Sequence, residues 1–186
     1  MKGMTSNREE APGVRHRGWL VLPVLVAPLP NQEAMEEYQA LSKVLKLFLS
    51  LVTWPGQEER PLRVAVIGGT AFGTDLDVNL GRGTVGGRKV VIQYFSGPSF
   101  LADSHSFDAV FLDRGEETRL PAILEKTAGK PVLTMGYGQD PTRRGVMVNF
   151  FLENAAIRFE VNPNRIKEAN LTISSHLLKI AKIVEK

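Results

Sequence analysis

The sequence predicts an α/β domain, with a mostly parallel sheet flanked by helices and finished by a C-terminal antiparallel hairpin and a closing helix. Three observations predict it. Short continuous apolar runs alternate with helical or loop segments between residues 62 and 135, the pattern of strands buried on both faces. Two further runs are then separated only by a two-residue turn signal, the mark of a hairpin. A helical apolar periodicity lies on either side of this block, near residues 36–54 and 174–184.

The elements follow in order. Over Glu36–Trp54, the residues Tyr38, Leu41, Val44, Leu45, Phe48, Leu51 and Val52 recur at spacings of three and four, and Pro55-Gly56 stops the helix. Leu47 and Leu49 widen this stripe, which predicts a helix covered on more than one side, by the sheet and by a second subunit. Leu62–Ile67 reads as a strand running into a Gly68-Gly69 turn. Arg88–Phe95 and Phe107–Leu112 read as the next strands. Glu116–Thr127 reads as a helix ended by Gly129, and Pro131–Met135 as a fourth strand. Val146–Leu152 and Ala155–Val161 form the hairpin about Glu153-Asn154, with Arg158 and Glu160 on a wet face. Asn162-Pro163-Asn164 opens a short helix. Ser174-Ser175 opens a last one, whose stripe is Leu177, Leu178, Ala181 and Val184, with Lys179 and Lys182 toward water.

Composition bounds the chemistry. The 186 residues fit one domain plus a leader, assigned to residues 37–186 and 1–36. The formal charge is +3 and the basic residues are scattered, which argues against a nucleic-acid partner. Without cysteine there is no disulfide, thiolate metal site or cysteine nucleophile, and three histidines do not make a histidine-rich metal site. No metal and no cofactor is expected. In the leader, Arg15, His16 and Arg17 precede an apolar run from Gly18 to Ala27. A basic stretch, a short apolar run and a polar region is the plan of a secretory signal. The run is too short to span a bilayer, which needs roughly 20 apolar residues. A buried strand or a disordered leader is the alternative reading.

The candidate motifs divide by context. Gly81-Arg82-Gly83-Thr84-Val85-Gly86 matches G-x-G-x-x-G, but a strand follows it where a helix is required, so it reads as a loop. Gly68-Gly69-Thr70-Ala71-Phe72-Gly73 follows a strand and leads toward Asp75–Asn79, where backbone N–H groups could meet an anion; a tight turn needing positive φ is the plainer account. Asp75, Asp77 and Asn79 have calcium-like spacing without the Gly and Glu that complete an EF-hand loop. His105 sits in a polar loop, and no G-x-S-x-G elbow accompanies it. Catalytic residues: none are assigned.

Strand ends carry the binding expectation. Gly68, Gly69 and Phe72, then Asp113 and Arg114, then Gly136 and Tyr137 follow or close strands of one parallel sheet. They should gather at its carboxyl edge, where open α/β sheets place ligands. For a partner or dimer contact the candidates are Leu47 and Leu49 on the first helix and Arg143 and Arg144 before the hairpin.

These landmarks, taken together, resemble the YfiR family. Tyr38-Gln39 through Val52-Thr53-Trp54-Pro55 looks like its opening helix, and Leu62–Gly68 with Phe72-Gly73 and Leu76 like its first strand and turn. Gly87–Val90, Phe107–Leu112 and Lys130–Gly136 are similar to the later strands. The most specific stretch is Ile157–Asn162 followed by Ala169–Ala181. The resemblance implies a periplasmic, non-enzymatic regulator that often dimerises. The family's namesake represses a membrane-bound diguanylate cyclase by binding its periplasmic part, and an outer-membrane lipoprotein relieves that repression by sequestering it. Cyclic di-GMP and biofilm formation are the output. Many members carry cysteines, one of them near Ser104-His105-Ser106 here, so redox control of that kind cannot operate in this chain.

The expectation is therefore a periplasmic regulator that inhibits a membrane-bound signalling protein by docking. The alternatives are a small-molecule-binding sensor using the strand-end cluster, and a cytoplasmic nucleotide-binding enzyme built on Gly68–Gly73.

Overall fold

The β-branched runs become the sheet and the helical stripes become its cover. The computed structural model describes residues 30–56, 59–138 and 145–184. Helix α1 (Pro30–Ser50) is followed by strands β1 (Val52–Thr53), β2 (Leu62–Ile67), β3 (Thr84–Val85) and β4 (Arg88–Phe95). Helix α2 (Gly97–Ala102), β5 (Ala109–Leu112), α3 (Leu120–Thr127) and β6 (Leu133–Tyr137) come next. The chain then forms β7 (Val148–Glu153), β8 (Ala156–Val161), α4 (Pro163–Glu168), β9 (Thr172–Ile173), α5 (Ser175–Ile180) and β10 (Lys182–Ile183). The main sheet has the order β10-β8-β7-β6-β5-β2-β4-β3, while β1 and β9 pair separately. Strands β4, β2, β5, β6 and β7 are mutually parallel; β8 returns antiparallel to β7, and β3 antiparallel to β4. The expected mostly parallel α/β architecture with its terminal hairpin is what forms.

Burial on both faces explains why the central strands are continuous apolar runs. On β2, Val64 and Val66 pack into the core beneath α1, with Leu41, Leu45 and Phe48. Ala65 and Ile67 face the other way, into a second core with Phe100 of α2 and Leu120 and Ile123 of α3. Phe48 locks α1 onto the hairpin, edge-on to Phe150 at 5.6 Å and to Phe159 at 5.5 Å. Helix α2, which has no counterpart in the sequence reading, is nucleated by a capping box. The Ser96 side chain accepts from the Ser99 N–H while the Ser99 hydroxyl accepts from the Ser96 N–H.

Several boundaries differ from expectation. Helix α1 runs from Pro30 to Ser50 rather than from Glu36 to Trp54, because Val52–Thr53 leaves the helix to pair with β9 before Pro55-Gly56 is reached. The hairpin turns at Asn154-Ala155, both at positive φ (50° and 58°), one residue later than Glu153-Asn154; paired positive φ matches the twist of the flanking strands. Helix α5 stops at Ile180, and Lys182–Ile183 is not helical but joins β8 in parallel as an edge strand. The expected stripe to Val184 is broken, and only Leu177 of α5 is buried. This added strand also explains why Glu160, expected on a wet face, is 8% exposed: Lys182 lies beside it in register and their charged groups meet at 2.6 Å. Residues 15–27, where the signal-like pattern falls, lie outside the described residues. Among the described residues no helix is long and apolar enough to cross a membrane.

Candidate functional site

Register brings the strand-end residues together. Ile67, Leu112 and Gly136 are side by side on β2, β5 and β6, so the residues after them share the carboxyl edge. The backbone continues the pairing there: Asp113 N–H donates to the Ile67 carbonyl at 3.0 Å, and Gly68 N–H to that of Phe95 at 3.0 Å.

The amino-terminal part of α1 closes over this edge. Tyr38 donates its hydroxyl to Asp113 Oδ1 at 2.6 Å, and Arg114 N–H donates to the same oxygen at 2.9 Å. Glu37 accepts from the Tyr137 hydroxyl and pairs with the Arg114 guanidinium. That guanidinium lies over the Tyr137 ring, 4.2 Å from its centroid. Burial dominates the electrostatics. It pushes the Asp113 carboxyl above its ordinary range, against the lowering effect of the Tyr38 hydrogen bond. Glu37 is raised by burial and then by the charge of Asp113. Tyr38 is raised by burial and by its bond to Asp113, and burial lowers Arg114.

Beside this network lies a cleft of about 560 Å³, lined in part by Glu37, Arg114, Glu117, Tyr137, Asn149 and Lys182. Asn149, Glu160 and Lys182, which line it, are in register across β7, β8 and β10, and Gly136 of β6 is paired beside Asn149. The Asn149 amide nitrogen donates to the Gly138 carbonyl at 3.3 Å, which fixes the amide so that Oδ1 is left buried with no partner. The arrangement offers paired charges and an aromatic wall, a lining suited to holding a polar ligand.

The individual expectations separate at this point. Arg114 and Tyr137 line the cleft, and Asp113 stands behind them in the hydrogen-bonded network. Gly136 lies within β6. Phe72 is a core residue, 1% exposed, edge-on to Tyr38 at 4.9 Å. Gly68 and Gly69 have packing reasons: a Cβ at Gly69 would sit 2.4 Å from Val66 Cγ1, and one at Gly68 2.9 Å from Glu116 Cγ. Leu47 is 56% exposed, whereas Leu49 is 1% exposed within the core. Arg143 and Arg144 lie outside the described residues. Missing from the sequence analysis were Glu37, Glu117, Asn149 and the edge position of Lys182. Only the alternation through Asn149 in Val148–Phe150 could have signalled an inward polar residue.

Other motifs resolve simply. Gly86 and Gly87, with φ of 57° and 81°, form the turn between β3 and β4, so the G-x-G-x-x-G match is a hairpin corner. Asp77 accepts from the Tyr94 hydroxyl and Asn79 donates to Ser42 Oγ. No group of His, Asp and Glu able to hold a metal occurs among the described residues.

A family model described as YfiR/HmsC-like matches residues 38–182. No curated protein sequence matches. Among solved structures, a conserved domain protein from Vibrio cholerae O1 biovar El Tor aligns with TM-score 0.52 at 12% identity, over 80% of this chain and 60% of that one. The ABC domain from Streptococcus pneumoniae, in complex with L-Trp, aligns with TM-score 0.58 at 10% identity, over 77% of this chain and 60% of that one. The chain thus spans 60% of the length of each, and at these identities the likeness is one of fold.

Proposed function

The chain belongs to the YfiR/HmsC-like family, and from that premise we propose that it represses a membrane-bound diguanylate cyclase by docking on the part of that enzyme outside the cytoplasm. Regulators of this family are periplasmic, act in diguanylate cyclase signalling and are not catalysts. The observation that carries the proposal is the extent of the family match. It runs from Tyr38, which anchors α1 to the sheet edge, to Lys182 in the last strand. Exposed apolar side chains on α1 and the hairpin, Leu47 (56%) and Leu152 (50%), support a docking role.

In this mechanism the regulator divides between a free and a cyclase-bound population, and a competitor such as an outer-membrane lipoprotein shifts that division by binding the free form. The test is co-expression of the exported chain with a cyclase of this type. Cyclic di-GMP should fall, and the purified chain should bind the cyclase's periplasmic part. Unchanged cyclic di-GMP together with no binding at about 100 µM would remove the proposal.

The cleft beside Asn149 favours a second reading, a small-molecule sensor. Its volume of about 560 Å³ and its unpartnered buried acceptor suit a small polar ligand. Calorimetry against nucleotides and amino acids tests it, with Arg114→Ala as the variant expected to lose any heat observed.

A further inference from the structure

A second cavity lies at the opposite, amino edge of the sheet, and its lining has the chemistry of an anion site. We infer that it binds a small carboxylate carried on an apolar body, of the size of octanoate or benzoate. The cavity has a volume of about 240 Å³, room for on the order of ten non-hydrogen atoms. Its walls are Phe100, Phe107, Val110, Pro131 and Val132, which belong to or flank the core beneath α2 and α3. Around them stand Arg60, Lys126, Lys130 and His105. No carboxylate lines the cavity itself, the nearest being Asp108 on Arg60 and Asp103, which holds His105 Nδ1 at 3.0 Å and also acts on Lys126. Lys130 is therefore the cation least offset by acidic side chains.

The cations are held in place before any ligand arrives. The Lys126 ammonium donates to the carbonyls of Leu101, at 3.1 Å, and Asp103, and it lies 5.4 Å from the centroid of the Phe100 ring. An ammonium has three donors, so these two bonds leave one N–H for a ligand. Lys130 donates to the Lys126 carbonyl at 2.8 Å and keeps two. A ligand that meets these groups therefore orders little side chain, which removes a cost that commonly weakens surface sites.

The charge type follows from which cations are committed elsewhere. Arg60 directs its guanidinium at Asp108, at 3.1 and 2.5 Å, so the forked donor that suits phosphate is already engaged. Two lysine point charges over an apolar floor match a monoanion with a hydrophobic body better than a phosphate dianion. Both lysines also cap helix ends, Lys126 on α2 and Lys130 on α3. Capping accounts for where their ammoniums point; it does not account for an apolar cavity, free of acidic side chains, beneath them.

Amide-resolved NMR titration of the full chain tests the inference, with octanoate and benzoate as probes and octanamide and benzamide as neutral controls. Saturable shifts are expected at Phe107, Thr127 and Val132 with at least one carboxylate, and affinity for the matching amide should be about tenfold lower. Lys130→Gln, at an exposed position, should weaken carboxylate binding by about tenfold with the fold intact. Lys126→Met should weaken it further. The inference is overturned if no carboxylate saturates below about 10 mM. It is also overturned if amide and carboxylate bind alike, or if Lys130→Gln leaves affinity unchanged. A Lys126→Met variant that only unfolds more easily, with no carboxylate bound by the unmutated chain, would leave both lysines as caps and nothing more.

Discussion

Tyr38 donates its hydroxyl to Asp113 at 2.6 Å, joining the first helix to the end of β5 across 75 residues of sequence. This bond and the Glu37 contacts tie the start of the covering helix to the edge of the sheet. Tyr38→Phe removes only the hydroxyl, leaving the ring edge-on to Phe72 and Asp113 short of one donor. The expected loss is about 1–2 kcal/mol, because a buried polar group that loses its partner bears a desolvation cost. Urea unfolding should show a lower midpoint with an unchanged slope.

The same network gives stability a pH dependence. Burial raises Asp113 above its ordinary value of 3.8, so the folded state holds a proton that the unfolded state has released. A raised folded value means that the stabilising contribution is fully present below the ordinary value and is lost as pH climbs through the folded one. Glu37, also raised by burial, has the same sign. Asp113→Asn keeps an acceptor for Tyr38 and does not ionise. The variant should therefore gain on the wild type as pH rises through the raised Asp113 value toward neutrality, and the gap should narrow again on acidification. Denaturant unfolding across pH 4–8 measures it; a gap independent of pH would show that Asp113 does not titrate as the structure implies.

What the sequence made legible was local. Leu62–Ile67 coincides with β2 because a run buried on both faces is apolar whatever packs against it. Arg88–Phe95 coincides with β4 through its β-branched and aromatic residues, although Val91 and Tyr94 are exposed. Tyr38 was legible only as part of an apolar stripe, since nothing near it in sequence announces a carboxylate 75 residues on. Lys182 has the same difficulty: the spacing of Leu177, Leu178, Ala181 and Val184 fits a helix, but pairing with Glu160 and Val161 of β8 draws the chain into the sheet instead. Asn149 looks like any strand polar residue until Glu160 and Lys182 are known to lie beside it in the sheet. The cleft was invisible for that reason, whereas its neighbours Asp113, Arg114 and Tyr137 were placed by the strand-end rule alone.

At the amino edge, Asp108 is the electrostatic hub. Fully buried, it accepts from Arg60, from Arg88 at 3.2 Å and from the Arg63 backbone N–H at 2.8 Å. Arg88 is itself buried, over the Trp54 ring at 5.8 Å. Asp108→Ala leaves the buried Arg88 guanidinium with only the Arg60 and Pro61 carbonyls and no counter-charge, and the Arg63 N–H without its acceptor. Removing one partner of a buried pair costs about 3–5 kcal/mol. Thermal and denaturant unfolding should register a loss of that size, and one below about 1 kcal/mol would place the pair in the class of surface ion pairs.

The Gly68-Gly69 turn invites a choice between ligand approach and packing, and the structure supplies a packing reason. A Cβ at Gly69 meets Val66 Cγ1 at 2.4 Å, and Val66 is a core side chain without freedom to retreat. Gly69→Ala should cost about 1–3 kcal/mol through overpacking. Combined with Val66→Ala, which vacates the space, the two changes should couple favourably by about 1 kcal/mol or more. Additive costs in unfolding measurements would return the glycine to consideration as a ligand contact.

The first helix separates fold from association through two nearby leucines. Leu49 is 1% exposed and sits in the α1 core, so Leu49→Glu buries an unpaired carboxylate and should cost more than about 3 kcal/mol, visible as loss of cooperative unfolding. Leu47 is 56% exposed, so Leu47→Glu should change stability by no more than about 0.5 kcal/mol. If copies of the chain meet through the outer face of α1, the same Leu47→Glu variant places a charge in that contact. Its dissociation constant, from sedimentation or light scattering, should then rise by about tenfold or more. Unmutated protein that is monomeric at the highest concentration reached would remove α1 as a self-association surface, while leaving its outer face free to contact a cyclase.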